Sequence, residues 1–262
     1  MEHDGKGVHL SIHQKNLVMN DKMIDRMSPC YRPQEREIGY QHWRELLFLH
    51  WSVEPNALQS LLPPELELDL YQGQALVGVV PFNMENVRPR WAPRWSAFNF
   101  YELNVRAYVI YKGEPGVYFF SLDAASWIAV ITARLGWSLP YFPAQFKVNS
   151  KDSIHAYRCD RILPKSAFFE AHYQVNESLG PSLEGSLAFF LLERYLLFTK
   201  HKTHLYRGQV HHIPYPAFQV NVTHCSTNLV EILGLSRHQK APLYAHYSPG
   251  VEVDIFSLKK VT

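Results

Sequence analysis

The chain has 262 residues, 47% of them hydrophobic and 14% aromatic, with charged residues at 19% against a usual quarter. That supplies a sizeable core, and a net charge of +2 beside 14 histidines gives no global basic field to gather nucleic acid. Cys30, Cys159 and Cys225 are scattered and odd in number, which argues against a disulfide framework or a zinc site and fits a reducing cytoplasm.

The first segment, "MEHDGKGVHLSIHQKN", lacks the charged start, apolar run and cleavage site of a secretory signal. No apolar run reaches the roughly 18 residues of a membrane helix. Residues 1–38 read as a polar, His-rich arm with a short helix around Lys22 to Met27, and residues 39–262 as a single domain. "HWRELLFLHWSV" is an apolar strand, followed by a short helix in "EPNALQSLLPPELELDLY" that ends at Pro63-Pro64. "QALVGVVPFNMENV" and "FYELNVRAYVIY" are strands, and "KGEPG" turns the chain into "VYFFSLDA". "ASWIAVITARLGW" has helical spacing closed by Gly136. Strands then return in "HAYRCDRIL", "KSAFFEAHYQV", "LAFFLLERYLLFTKH", "LYRGQVHHIPY" and "VEVDIFSLKKV". Many short strands with one or two helices predict a mainly β, α+β fold, a curved antiparallel sheet or barrel.

The strand at 100–111 carries the chemistry. Successive side chains point to opposite faces, so Leu103, Val105, Ala107 and Val109 share one face and Glu102, Asn104, Arg106 and Tyr108 the other. Glu102 and Arg106 lie about 13 Å apart along a strand, so each needs a partner elsewhere. An unpaired buried charge would cost several kcal/mol. Two readings stand together: a polar network that satisfies itself, or the wall of a ligand pocket. The following strand brings either Asp123 and Ser121 or Tyr118 and Phe120 beside Arg106, because a one-residue slip exchanges faces.

"LHW", "LLPPELELD", "VGVVPFNMENVRPR", "ELNVRAYV", "GVYFFSLDA", "LPYFPAQF", "FLLERYLLFT", "LYRGQVHHIPYP" and "HYSPGVEVDIF" occur in this order from about His42 to Val261. Together they resemble the YqjF-like proteins, a family of unknown function in the acetoacetate decarboxylase-like superfamily. The resemblance implies a cone-shaped antiparallel β-barrel with a few flanking helices and an internal cavity. The decarboxylases proper attack a keto acid with a lysine whose pKa is depressed by a neighbouring cation, a case the physical chemistry of activated nucleophiles already uses as its example. In the matching stretch, "SLPYFPAQF", Pro140 is kept but Tyr141 and Phe142 stand where the two lysines would be. Lys147 lies further on, with nothing to place it in the cavity. Tyr101-Glu102 resembles the superfamily's acidic position. The resemblance therefore keeps the acid and loses the nucleophile.

Other constellations carry less. His201 and His204 form an HxxH that a strand would split between two faces, so metal is not expected. His50 in "FLHW" is a core histidine or a ligand contact, and His211 follows the same logic. In "ERY", Glu193 and Tyr195 share one face and Arg194 the other, and the group is either a structural ion pair closing the barrel or, if Arg194 points inward, the source of a second cavity cation. "VRPRWAPRW" is a lid or an ordinary surface loop. No GxSxG, GxGxxG or Walker A loop is present, so no cofactor is indicated. The reading is a cytoplasmic small-molecule binder, open to homo-oligomerisation, with neither nucleic acid nor membrane as partner. Asn104, Arg106, Tyr108, Tyr118, Asp123, Arg194 and His50 are its candidate ligand contacts. The alternative is a lyase, hydrolase or isomerase of a carbonyl compound, with Glu102 and Tyr141 catalytic.

Overall fold

A computed structural model describes residues 24–126, 139–163 and 167–261. The strands are β1 (Gly39–Val53), β2 (Glu67–Leu68), β3 (Ala75–Pro89), β4 (Phe98–Tyr111), β5 (Glu114–Ala124), β6 (Tyr141–Lys151) and β7 (Ile154–Arg161). After them come β8 (Phe168–Pro181), β9 (Leu196–His201), β10 (His204–His211), β11 (Pro216–Thr227), β12 (Tyr244–Ile255) and β13 (Lys259–Lys260). Among the described residues two short α-helices interrupt them, α1 (Pro55–Gln59) and α2 (Leu187–Leu192). The mainly β, α+β reading holds.

All thirteen strands belong to one sheet, and its pairings close on themselves. One edge of β5 pairs with β4, while its other edge divides between β9 at Val117–Tyr118 and β6 at Leu122–Ala124, both parallel. Opposite it, β12 pairs with β1 and then divides between β11 and β10. Two closed circuits of strands result, sharing the wall β12–β1–β3–β4–β5. The antiparallel expectation thus holds except where β5 branches.

That shared wall has a core on each side. Leu103, Val105, Ala107 and Val109 of β4 pack with Trp51, Tyr157 and Phe169. Phe100 and Tyr108, of the other parity, pack with Phe48, Phe82 and Phe190. The alternation read from sequence therefore separates two hydrophobic clusters, not a core from water.

Two left-handed bulge residues keep one face aimed the same way along strands too long to stay in register unaided. Glu45 (φ 53°) interrupts β1, so that Gln41 and Trp43 before it and Leu46 after it line the same side. Asn86 (φ 51°) does the same in β3, switching the inward set from Phe82 and Met84 to Val87 and Pro89. Gly250 of β12 lies opposite Arg44, beside the first bulge, at φ 132°. A Cβ there would run into the Trp43 carbonyl oxygen.

Two expectations need correction. "LAFFLLERYLLFTKH" is not one strand. Ser186 accepts a hydrogen bond from the Phe189 amide and starts α2, so β9 begins only at Leu196. The described part of the helix expected at Lys22 to Met27, residues 24–27, is not helical; a single 3₁₀ turn follows at Ser28–Cys30. Residues 24–38 are also tied down. Arg26 makes two 2.7 Å bonds to Asp69, Gln209 donates to the Pro29 carbonyl at 3.2 Å, and Arg32 pairs with Glu37 and Asp254. The helix expected across 125–137 falls outside the described residues from 127 on.

Gly250→Ala should lower unfolding stability by about 1–3 kcal/mol or more, the usual cost of a strained backbone site. Glu45→Gly, which relieves a positive φ, should be near neutral. Urea denaturation of the two variants checks the pair.

Candidate functional site

Inside the circuit that runs through β9 and β10, on the polar face of β4, lies a cavity of about 370 Å³. That is within the size range of small-molecule sites. Its walls are mostly hydrocarbon and aromatic, drawn from β1, β3, β4 and β5, including Leu46, Phe82, Met84, Phe100 and Phe119. Ile38 and Pro89 at one end are exposed, whereas Glu102 and Arg106 are buried, so the cavity opens beside the N-terminal segment and the end of β3.

Glu102, Asn104, Arg106, Tyr141 and Arg194 all line it. Glu102 is 2% exposed. Burial pushes its carboxyl up to about 8; the Tyr141 hydroxyl, donating to Oε2 at 2.7 Å, opposes that, and the nearby Asp123 charge adds to it. At neutral pH the group is therefore mainly the uncharged acid. Tyr141 itself is pushed well up by burial and by Glu102, so it stays a phenol.

Arg106 donates to the Leu191 carbonyl at 3.1 Å and lies over the Phe48 and Tyr108 rings. Its Nε and the Oδ1 of Asn104 are buried without a hydrogen-bond partner. No carboxylate of the described residues pairs with it.

Arg194 differs. Its guanidinium donates to Asp69 at 2.6 Å and to the Phe190 carbonyl at 2.7 Å, and Asp69 also holds Arg26. It is a cavity cation already neutralised. Neighbouring Glu193 is held separately: that carboxylate accepts from Ser182, Tyr195 and the Tyr215 amide. The turn after α2 sends the two neighbours in opposite directions.

Tyr108 and His50 lie beneath the cavity, not on its lining. His50 Nε2 sits 2.6 Å from the Tyr108 hydroxyl, which donates to the Leu191 carbonyl at 2.9 Å. Burial, with the Arg106 charge second, drives His50 well below its ordinary pKa. It is a neutral core histidine with a structural bond.

Tyr118 and Asp123 are on the opposite face. A register shift between Val105 and Arg106 sets Phe119, not Tyr118, Phe120 or Ser121, against Arg106. Neither of the two sets weighed from sequence arrives. Asp123 faces with Leu103 and is held by Arg161 through bonds of 2.5 and 2.7 Å. Sequence reasoning missed Asp69 and Arg161, the counter-ions that occupy these charges; only long-range pairing brings them near.

Of the remaining motifs, Arg88 and Pro89 reach the cavity rim, but Trp91 and Trp95 are 86% and 87% exposed and cover nothing. His201 and His204 face each other across the β9–β10 hairpin. Among the described residues no three His, Cys, Asp or Glu side chains cluster as a metal site. No lysine lines the cavity among those residues, and Lys147 is exposed on β6. No described helix is long and apolar enough to cross a membrane.

Comparison with known proteins places the chain. The model of the DUF2071 family, described as an uncharacterized conserved protein, matches residues 40–252, and the chain belongs to that family. It is 37% identical over 221 residues to the uncharacterized protein YqjF of Bacillus subtilis (strain 168), covering 84% of this chain and 91% of that one. In fold it is similar to acetoacetate decarboxylase from Legionella pneumophila subsp. pneumophila, with TM-score 0.59, 16% identity, and 88% and 92% of the two chains covered. The enduracididine biosynthesis enzyme MppR, solved in complex with pyruvate, gives TM-score 0.59 at 12% identity over 87% and 92%. The acetoacetate decarboxylase-like fold is thereby established; at such identities nothing more is.

Because Glu102 binds its proton more tightly folded (about 8) than at the ordinary 4.5, the native state holds a proton that the unfolded chain releases. Its contribution to stability is full below about pH 4.5 and is lost as pH rises to about 8. Glu102→Gln should remove that part of the slope, so denaturation midpoints at pH 5.5 and 8.5 should differ less in the variant than in the wild type.

Proposed function

We propose that this protein binds a small organic molecule within the cavity beside β4, without Schiff-base chemistry. The observation that carries the reading is an apolar, partly enclosed space with Glu102, Asn104 and Arg106 in a row on one wall. A polar network that satisfied itself would leave no orphaned atoms, yet Arg106 Nε and Asn104 Oδ1 have no partner. A small molecule beside this wall can meet the parts of Arg106 and Asn104 that border the cavity while its body fills the hydrocarbon walls. No lysine is among the described lining residues, which supports a reading without an imine. The acetoacetate decarboxylase-like relatives, one of them solved with pyruvate, support a ligand-holding role for this fold. A cytoplasmic location and a single unit over residues 39–262 belong to the same proposal.

A second reading has its own observation. A cavity carboxyl pushed up to about 8 and bonded to a phenol at 2.7 Å is suited to general acid–base work on a carbonyl compound. Glu102 would then give or take the proton, with Tyr141 orienting it.

Thermal-shift screening of aromatic and aliphatic metabolites tests the first reading: ligands should raise the melting temperature. Leu122→Trp, which fills the cavity from β5, should abolish the shift while leaving far-ultraviolet circular dichroism unchanged. Retained binding in that variant would move the site elsewhere. Mass spectrometry of the hits separates the two readings, since turnover that disappears in Glu102→Gln with affinity kept makes the protein an enzyme.

A further inference from the structure

Three arginines among the described residues are nine-tenths buried: Arg106, Arg161 and Arg194, each 8% exposed. Moving a guanidinium out of water costs several kcal/mol unless an anion meets it. Arg161 has Asp123, and Arg194 has Asp69. Arg106 has neither. It is given a carbonyl oxygen, a phenol oxygen at 3.4 Å and two aromatic faces. The acid on its own strand does not serve, since Glu102 is two pleats away and bonded to Tyr141. Of these three buried arginines, Arg106 alone is met by no carboxylate of the described residues, and it lies on the cavity wall.

We propose, resting on the small-molecule reading above, that the ligand is an amphipathic monocarboxylate whose carboxylate completes the shell of Arg106 and whose hydrocarbon body lies toward the opening. The carboxylate meets the part of the Arg106 guanidinium that borders the cavity, where no carboxylate of the described residues reaches it. Beyond Asn104, the Glu102 carboxyl supplies a hydrogen-bond donor in its uncharged form, so it does not repel an acid as a carboxylate would. Phe82, Met84, Phe100 and Phe119 make a hydrocarbon stretch of wall that suits an alkyl or aryl chain, while Arg194 is held by Asp69 and Arg88 lies out at the rim. The ligand enters head first, because the cation is at the buried end and the exposed residues Ile38 and Pro89 at the other. One guanidinium balances one negative charge. A dianion such as a phosphate monoester would leave its second charge among hydrocarbon.

The test compares acids with their primary amides, equal in shape and differing in charge: octanoate against octanamide, and 3-phenylpropanoate against 3-phenylpropanamide, by calorimetry on the full chain at pH 7. A charged hydrogen bond in a desolvated site should favour the acids by at least about tenfold. Arg106→Met should erase that preference with amide affinity little changed, and Arg106→Lys should keep part of it. Amides that bind as well as the acids would overturn the ligand class while leaving the binding reading intact. Failure of all four compounds, with hits of other chemistry in the screen, would overturn the class too; no hits of any kind would overturn both. A readout without ligand makes the test independent of the probes. Removing an unneutralised cation should leave the melting temperature of Arg106→Met at or above wild type, whereas Arg161→Met, which strands Asp123, should melt lower. Equal losses in the two variants would mean that Arg106 is already satisfied by the protein, and the proposal would fall.

Discussion

Strand β4 has no face in water, and the rest of the molecule follows from that. A strand buried on both sides ordinarily reads as a continuous apolar run. Here one parity is hydrocarbon and the other carries an acid, an amide, a guanidinium and a phenol. Each polar group had to be given a partner, a changed protonation state or a cavity. Tyr108 received the Leu191 carbonyl and His50, Glu102 kept its proton beside Tyr141, and Arg106 and Asn104 were placed on the cavity lining. The local chemistry of the cavity is the sum of those separate solutions.

Strand curvature makes the space. A fifteen-residue strand without interruption would twist its inward row away from the hollow, and the bulges at Glu45 and Asn86 reset it midway. Each extra residue changes which parity points inward, so side chains from both ends of β1 and β3 reach one cavity. Gly250 is the counterpart on the neighbouring strand, where the displaced backbone of β1 leaves no room for a side chain.

This division explains what could be read from the amino-acid order. The alternation of 102–109 was legible because period two is local, though it left a self-satisfied network and a cavity wall equally open. The motif order pointed to the family. The partners were not legible. Asp69 meets Arg194 across 125 positions of chain, and Asp123 meets Arg161 across 38. The shift between Val105 and Arg106 that chose Phe119 over its neighbours depends on how two strands settle against each other, which periodicity does not encode. α2 escaped for a related reason: "LAFFLL" is apolar throughout, so neither period marks it, and only the Ser186 cap betrays the helix.

The branching of β5 and β12 reaches beyond the cavity. Five strands serve two rings at once, and the first of them in sequence, β1, must find β12 some two hundred positions later before either ring can shut. Such distant closures must be made before they are rewarded, which places the chain among slow folders. It also denies the protein a separable half: cutting away one ring would strip an edge from strands that the other ring uses, and the exposed edge would invite pairing with a neighbouring molecule. In the cell, the interval between synthesis and closure is when this architecture is most exposed to aggregation.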